Sequence, residues 1–150
     1  MCSSDLEPHA ALLAQAMIQA QARTPLRTTT ALSRVLQDAL RTLPRQIQEE
    51  EGVTPLRRVF QALRIAVNEE FNALETFLRF LPGSLNPGAR VVILTFHSGE
   101  DRRVKKAFQA GLRDGLFSAI AQEVIRPGPE EVRANPRAAS AKLRWAIRAA

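Results

Sequence analysis

The sequence predicts an α/β fold, and three observations carry that expectation. A β-branched and apolar run, Val91 to Phe96, follows the turn residues Asn86, Pro87 and Gly88 and stops at a polar cluster that opens a basic helix. Upstream of it, apolar residues recur at helical spacing through most of the chain. Downstream, Leu143, Trp145 and Ile147 alternate with Arg144, Ala146 and Arg148, the period of a strand.

In chain order, Pro8 to Ala22 reads as a helix with Leu12, Leu13, Ala16, Met17 and Ala20 on one side, ended by Arg23-Thr24-Pro25. Thr29 or Thr30 is placed to cap a second helix that runs to Leu43, with Leu32, Val35, Leu36, Ala39, Leu40 and Leu43 inside and Pro44 as its stop. Glu49-Glu50-Glu51 followed by Gly52 reads as a linker. Thr54 as cap and Pro55 at the first helical position then start one long helix. Its expected buried stripe is Phe60, Leu63, Ile65, Val67, Phe71, Leu74, Phe77 and Leu78, a core role. Leu81 to Gly88 turns into the Val91–Phe96 strand, whose composition suits burial on both faces. After the helix at Glu100, Ala119 to Arg126 is expected to be a strand that Pro127-Gly128-Pro129 breaks. Glu130 to Ala134 is one helical turn or a loop, and Ala141 to Arg148 is the final strand.

Composition narrows the function. A single cysteine excludes a disulfide framework, and His9 and His97 are too far apart in sequence to suggest a metal site. Ala10 to Ala22 is apolar but short, interrupted by Gln15, Gln19 and Gln21 and preceded by Asp5 and Glu7, so neither a signal peptide nor a membrane span is expected. A cytoplasmic location is the default. The net charge is +6, and all of the excess lies in residues 101–150, with 11 Lys/Arg against 5 Asp/Glu. Such a region attracts phosphate with an affinity that falls as salt rises; the competing explanation is a solvated, salt-bridged surface. With no Tyr and one Trp, a platform for stacking bases is not evident.

Ligands of open parallel sheets bind beyond the carboxyl ends of the strands, which places Thr95, His97, Ser98, Glu100 and Asp101 at the mouth of an expected site. Equally, the same residues describe a turn and a helix N-terminus with acidic groups favourably placed on its dipole.

The run Phe96-His97-Ser98-Gly99-Glu100-Asp101-Arg102-Arg103-Val104-Lys105 resembles the Phe-His-Ser-Leu-Glu-Asp-Arg-x-Val-Lys signature of the bacterial 16S ribosomal RNA cytosine-N4 methyltransferases. Arg58 to Glu69 is similar to that family's Arg-x-Phe-Gln-Ala-Leu/Val-Arg-Ile-x-Val-Asn-x-Glu helix, and Asn135 to Arg144 to its Asn-Pro-Arg-Ala-Arg-Ser-x-x-Leu-Arg ending. Departures are Gly99 for Leu, Ala139 for Arg and Thr54 where His is often found. The likeness runs from about Leu12 to Ala149 and is weak before Thr54.

The resemblance implies S-adenosyl-L-methionine as methyl donor and 16S rRNA of the small ribosomal subunit as partner; from composition, neither a metal nor a membrane is expected as a partner. It implies the C-terminal half of a Rossmann-like class I methyltransferase sheet, preceded by helices of an inserted helical domain. On this reading residues 7–48 belong to the insertion and 49–150 to the methyltransferase domain. The cofactor half is missing: the seven glycines form no Gly-x-Gly, so the cofactor-binding residues are expected upstream of Met1. Met1 to Leu6 is similar to the translation of a common sequencing-adapter end, so residues 1–6 are expected to be a non-native leader and Cys2 to carry no information; the alternative is a genuine short N-terminus.

No residue of the chain is assigned as catalytic. His97, Ser98, Glu100 and Asp101 are expected near the substrate, with His97 either approaching the base or holding a neighbour by a hydrogen bond. Arg102, Lys105, Lys106, Arg137, Lys142 and Arg144 are candidate phosphate contacts. Asn135-Pro136-Arg137 only echoes the Pro-Pro-Tyr loops of other amino-methyltransferases. A non-catalytic RNA- or ribosome-binding module is the alternative function.

Overall fold

The computed structural model describes residues 7–52 and 54–150; the expected leader, Met1 to Leu6 with Cys2, lies outside the described residues. The chain divides into two compact units, the first ending at Asn68 and the second beginning at Glu69.

The first unit is helical: α1 (Ala10–Arg23), α2 (Thr29–Leu40), α3 (Arg45–Glu51) and α4 (Thr54–Val67). Leu13, Leu36 and Val59 form its buried centre, with Met17, Leu32, Ala39, Leu40, Leu56, Phe60 and Leu63 around them. The cap of α2 is Thr28, one residue before the two expected, whose Oγ1 accepts from the Ala31 N–H at 3.1 Å. The acidic run expected as a linker is helical instead. Arg45 pairs with Glu49 at 2.9 Å and Gln46 bonds Glu50 at 3.3 Å, both one turn apart, and Gln48 Nε2 donates to the Leu43 carbonyl at 2.6 Å. Gly52, at φ 52°, ends this helix in a backbone conformation that suits glycine.

The expected long helix is two. It breaks after Val67, and Glu69 takes the left-handed conformation at φ 50° before α5 (Glu70–Phe80) begins. Of the expected stripe, Val67 is 80% and Phe77 51% exposed, while Ile65 and Leu78 are buried.

The second unit continues through β1 (Arg90–Thr95), α6 (Ser98–Arg113), β2 (Phe117–Ile120), α7 (Pro129–Ala134) and β3 (Lys142–Arg148). Its three strands lie in the order β1-β3-β2, and β3 runs antiparallel to both neighbours. Consequently β1 and β2 run the same way but never touch, and the expectation of a strand buried on both faces fails. Val91 and Ile93 pack into the core with Val104, Phe108, Phe117, Ile120 and Ala146. Val92 and Leu94, pointing the other way, are 58% and 52% exposed. The second strand is shorter and earlier than expected; only an isolated bridge from Ile125 to Leu143 prolongs its pairing. On β3, Leu143, Trp145 and Ile147 do alternate with the more buried residues, but the inward face belongs to Arg144 and Ala146.

Candidate nucleic-acid interface at the end of β1

The register that pairs Thr95 with Lys142 brings the carboxyl end of β1, the start of α6 and the start of β3 to one end of the sheet. His97, Ser98, Glu100, Asp101 and Lys142 are therefore neighbours in the fold, although Lys142 is remote in sequence. Thr95 is buried and its Oγ1 donates to the Lys142 carbonyl at 3.3 Å, tying the two strands at that end.

His97 is the cap of α6. Its Nδ1 accepts the Gly99 N–H at 3.0 Å, so the neutral ring carries its hydrogen on Nε2. Glu100 turns back and its Oε2 accepts the Phe96 N–H at 3.3 Å, a reciprocal arrangement that satisfies a further backbone donor at the helix entry. Ser98 is exposed.

Asp101 faces inward. It receives Nε and Nη2 of Arg144 at 2.6 and 3.2 Å, a bidentate pair with side chains 16% and 8% exposed. This joins the first turn of α6 to the middle of β3. Arg144, expected on the phosphate-binding surface, is thus buried and held by a carboxylate, because the inward face of β3 needs a partner for Asp101.

The other cations are placed differently. Arg102, Lys105 and Lys106 are exposed on α6, and Arg113 continues the same side of the helix two turns on. Arg137 is exposed in the 3-10 turn Pro136–Ser140, whose entry is capped by Asn135 Oδ1 accepting the Arg137 N–H at 3.2 Å. Asn135-Pro136-Arg137 is therefore a capped turn.

Sequence reading passed over Arg103 and Glu75 and gave Phe71 only a core role. Arg103 Nε donates to Glu75 Oε1 at 2.7 Å, its guanidinium carbon lies 3.6 Å from the Phe71 ring centre, and the Phe71 and His97 ring centres are 6.1 Å apart. The available signal was the pairing of Gly99 with Arg103 one helical turn later, which leaves room beside the helix for another element.

A nucleoside cofactor needs an open backbone cradle, and the β1-to-α6 turn does not offer one. The space a side chain at Gly99 would enter is filled by the His97 and Phe71 rings, both 2.9 Å from the position of its Cβ. The turn at Gly99 therefore does not fit S-adenosylmethionine. Calorimetric titration of the chain with this cofactor is expected to show no micromolar binding; saturable heat in that range would refute the statement. Among the described residues no cluster of three or more His, Cys, Asp or Glu is gathered for a metal, and no helix is long and apolar enough to cross a membrane.

Helices beside a small antiparallel sheet, with a cation-bearing helix leaving a strand end, are consistent with part of a methyltransferase fold. A profile of the MraW methylase family matches residues 5–149, and the chain belongs to that family. It is 48% identical over 144 residues to Ribosomal RNA small subunit methyltransferase H 2 of Alkaliphilus metalliredigens, covering 95% of this chain and 41% of the relative. It is 53% identical over 123 residues to the protein of the same name from Acholeplasma laidlawii, covering 82% and 36%. Ribosomal RNA small subunit methyltransferase H 1 of Lachnoclostridium phytofermentans is 46% identical, covering 95% and 39%. The chain spans about two fifths of the length of the curated relatives it matches.

Proposed function

We propose that the chain is the C-terminal part of an S-adenosylmethionine-dependent enzyme that methylates N4 of a cytosine in 16S rRNA, acting on the small ribosomal subunit in the cytoplasm. The observation that carries the reading is the 48% identity over 144 residues to a small-subunit rRNA methyltransferase. In this reading the sheet is the terminal edge of a Rossmann-like class I fold, with β3 reversed between two parallel strands. Residues 7–48 belong to an inserted helical domain and 49–150 to the methyltransferase domain. The cofactor is held by residues outside this chain and supplies the methyl group.

The exocyclic amine of cytosine is a weak nucleophile because its lone pair is delocalised into the ring, so alignment of the base carries much of the acceleration. His97 and Ser98, at the strand end, approach the base. Glu100 and Asp101 hold the helix that presents them, one through the Phe96 N–H and the other through Arg144. Arg102, Lys105, Lys106, Arg137 and Lys142 contact phosphate, and Arg144 acts through Asp101. With few aromatic residues, the chain recognises backbone and shape.

The test is RNA binding by the Lys105→Ala/Lys106→Ala double variant across a salt series. Affinity is expected to fall at every RNA sequence, and the slope of log affinity against log salt to flatten by roughly 0.7–0.9 for each phosphate no longer neutralised. An unchanged slope would place α6 away from the RNA. RNA binding with no methyl transfer by the complete protein would favour a non-catalytic binding module.

A further inference from the structure

The Phe96–Lys105 run departs from the family signature at Gly99, and the signature leaves the position of Arg103 open. These two residues are one turn apart on α6 and share one space. A Cβ on residue 99 would lie 2.9 Å from His97 Cε1, His97 Nδ1 and Phe71 Cζ alike. All three atoms belong to ring bodies rather than flexible chain ends, so a side chain there must move a ring. Into the space glycine leaves, α5 inserts Phe71, whose tilted ring lies 6.1 Å centre to centre from the imidazole. Arg103 closes the other side, 3.6 Å from the Phe71 ring centre. Its side chain is only 12% exposed, and its guanidinium is held by Glu75 at 2.7 Å and by the Gly99 carbonyl at 3.0 Å. The order is Glu75, Arg103, Phe71, His97, with Gly99 beneath.

We propose that Arg103, Phe71 and Gly99 form a latch that positions His97, holding its Nδ1 on the Gly99 N–H and so fixing the tautomer with hydrogen on Nε2. Arg103 and Phe71 are positioning residues. The functional weight of the latch rests on the proposed approach of His97 to the base; its existence does not. A ring pinned in one tautomer offers a hydrogen-bond donor at Nε2 of defined direction, whereas a swivelling imidazole offers donor and acceptor alternately. A larger residue at position 99 would evict the ring and force a different entry into α6.

The experiment is performed on the full chain, whose only histidines are His9 and His97, so a His97→Asn variant assigns the signals. Proton–nitrogen correlation spectra of the imidazoles are expected to show His97 as a single tautomer with unprotonated Nδ1. Gly99→Leu is expected to average the two ring nitrogens. Arg103→Met should speed hydrogen exchange at the Gly99 N–H by roughly threefold to thirtyfold, the range of a cation–π contact, and Arg103→Lys, which keeps the charge but not the planar fork, should restore part of the protection. An averaged tautomer in the parent chain overturns the latch, as does Gly99 exchange that is the same in the Met and Lys variants. Should Gly99→Leu fail to fold, the parent spectrum and the Arg103 pair still decide. An intact latch in a complete enzyme whose His97→Asn variant methylates normally would overturn the role of His97 at the base and leave the latch standing.

Discussion

Replacing Asp101 with Ala is expected to destabilise the second unit by about 3–5 kcal/mol, the cost of stranding a buried charge after its partner is removed. The charge left behind is Arg144, only 8% exposed, in the middle of β3 on the face that packs against α6. Arginine cannot escape by losing its proton, so the guanidinium must either recruit water into the core edge or drag the strand outward. The reverse change, Arg144→Met, should cost less, about 2–3 kcal/mol. Asp101, 16% exposed, lies at the helix rim, where the carboxylate can find water and still favours the α6 N-terminus. The order of the two variants is the informative part. Denaturant unfolding followed by Trp145, which adjoins Arg144 on β3, measures both; equal losses below about 1 kcal/mol would show that the pair behaves as a surface ion pair.

The second large effect concerns His97 in the complete enzyme. Its ring caps α6 and is also the proposed neighbour of the base, and two substitutions separate these contributions. His97→Ala removes both, with an expected stability loss of about 1 kcal/mol from the cap and a fall in methyl transfer of about a hundredfold from poorer alignment of the base. His97→Asn keeps an oxygen acceptor able to cap, so stability is expected to hold while methyl transfer still falls by about a hundredfold. Affinity for S-adenosylmethionine should be nearly unchanged in both, since in the proposed reading the strand end faces the base and the cofactor is held by residues outside this chain. Full activity in the Asn variant would reduce His97 to a helix cap; abolished cofactor binding in a folded variant would assign the strand end to the other ligand.

Much of the second unit was legible because its signals are local. The β-branched run after Asn86-Pro87-Gly88 is β1, and the polar cluster after Phe96 opens α6, as the spacing predicts. Alternation at Leu143, Trp145 and Ile147 marks β3. Helix joints were less legible. Glu69 is not a residue whose chemistry announces a left-handed turn, and the apolar stripe on either side of it can be drawn through the break without interruption. Three consecutive glutamates read as a linker, yet Arg45 and Gln46 one turn earlier neutralise or bond two of them and sustain α3.

The sequence by itself determined that a strand end, a basic helix and a cation-rich tail occur in this chain, because period, turn chemistry and charge are properties of short segments. Its motifs likewise carried the resemblance to the methyltransferase family. Tertiary structure alone decided how the strands are ordered, with β3 reversed between β1 and β2. It also decided which cations face solvent. Lys105 and Lys106 are exposed while Arg144 is spent on Asp101, a partner 43 residues away. Nothing in the residues around Arg144 distinguishes it from a phosphate contact: whether a charge lies inside depends on the group that meets it there, and only folding brings that group near.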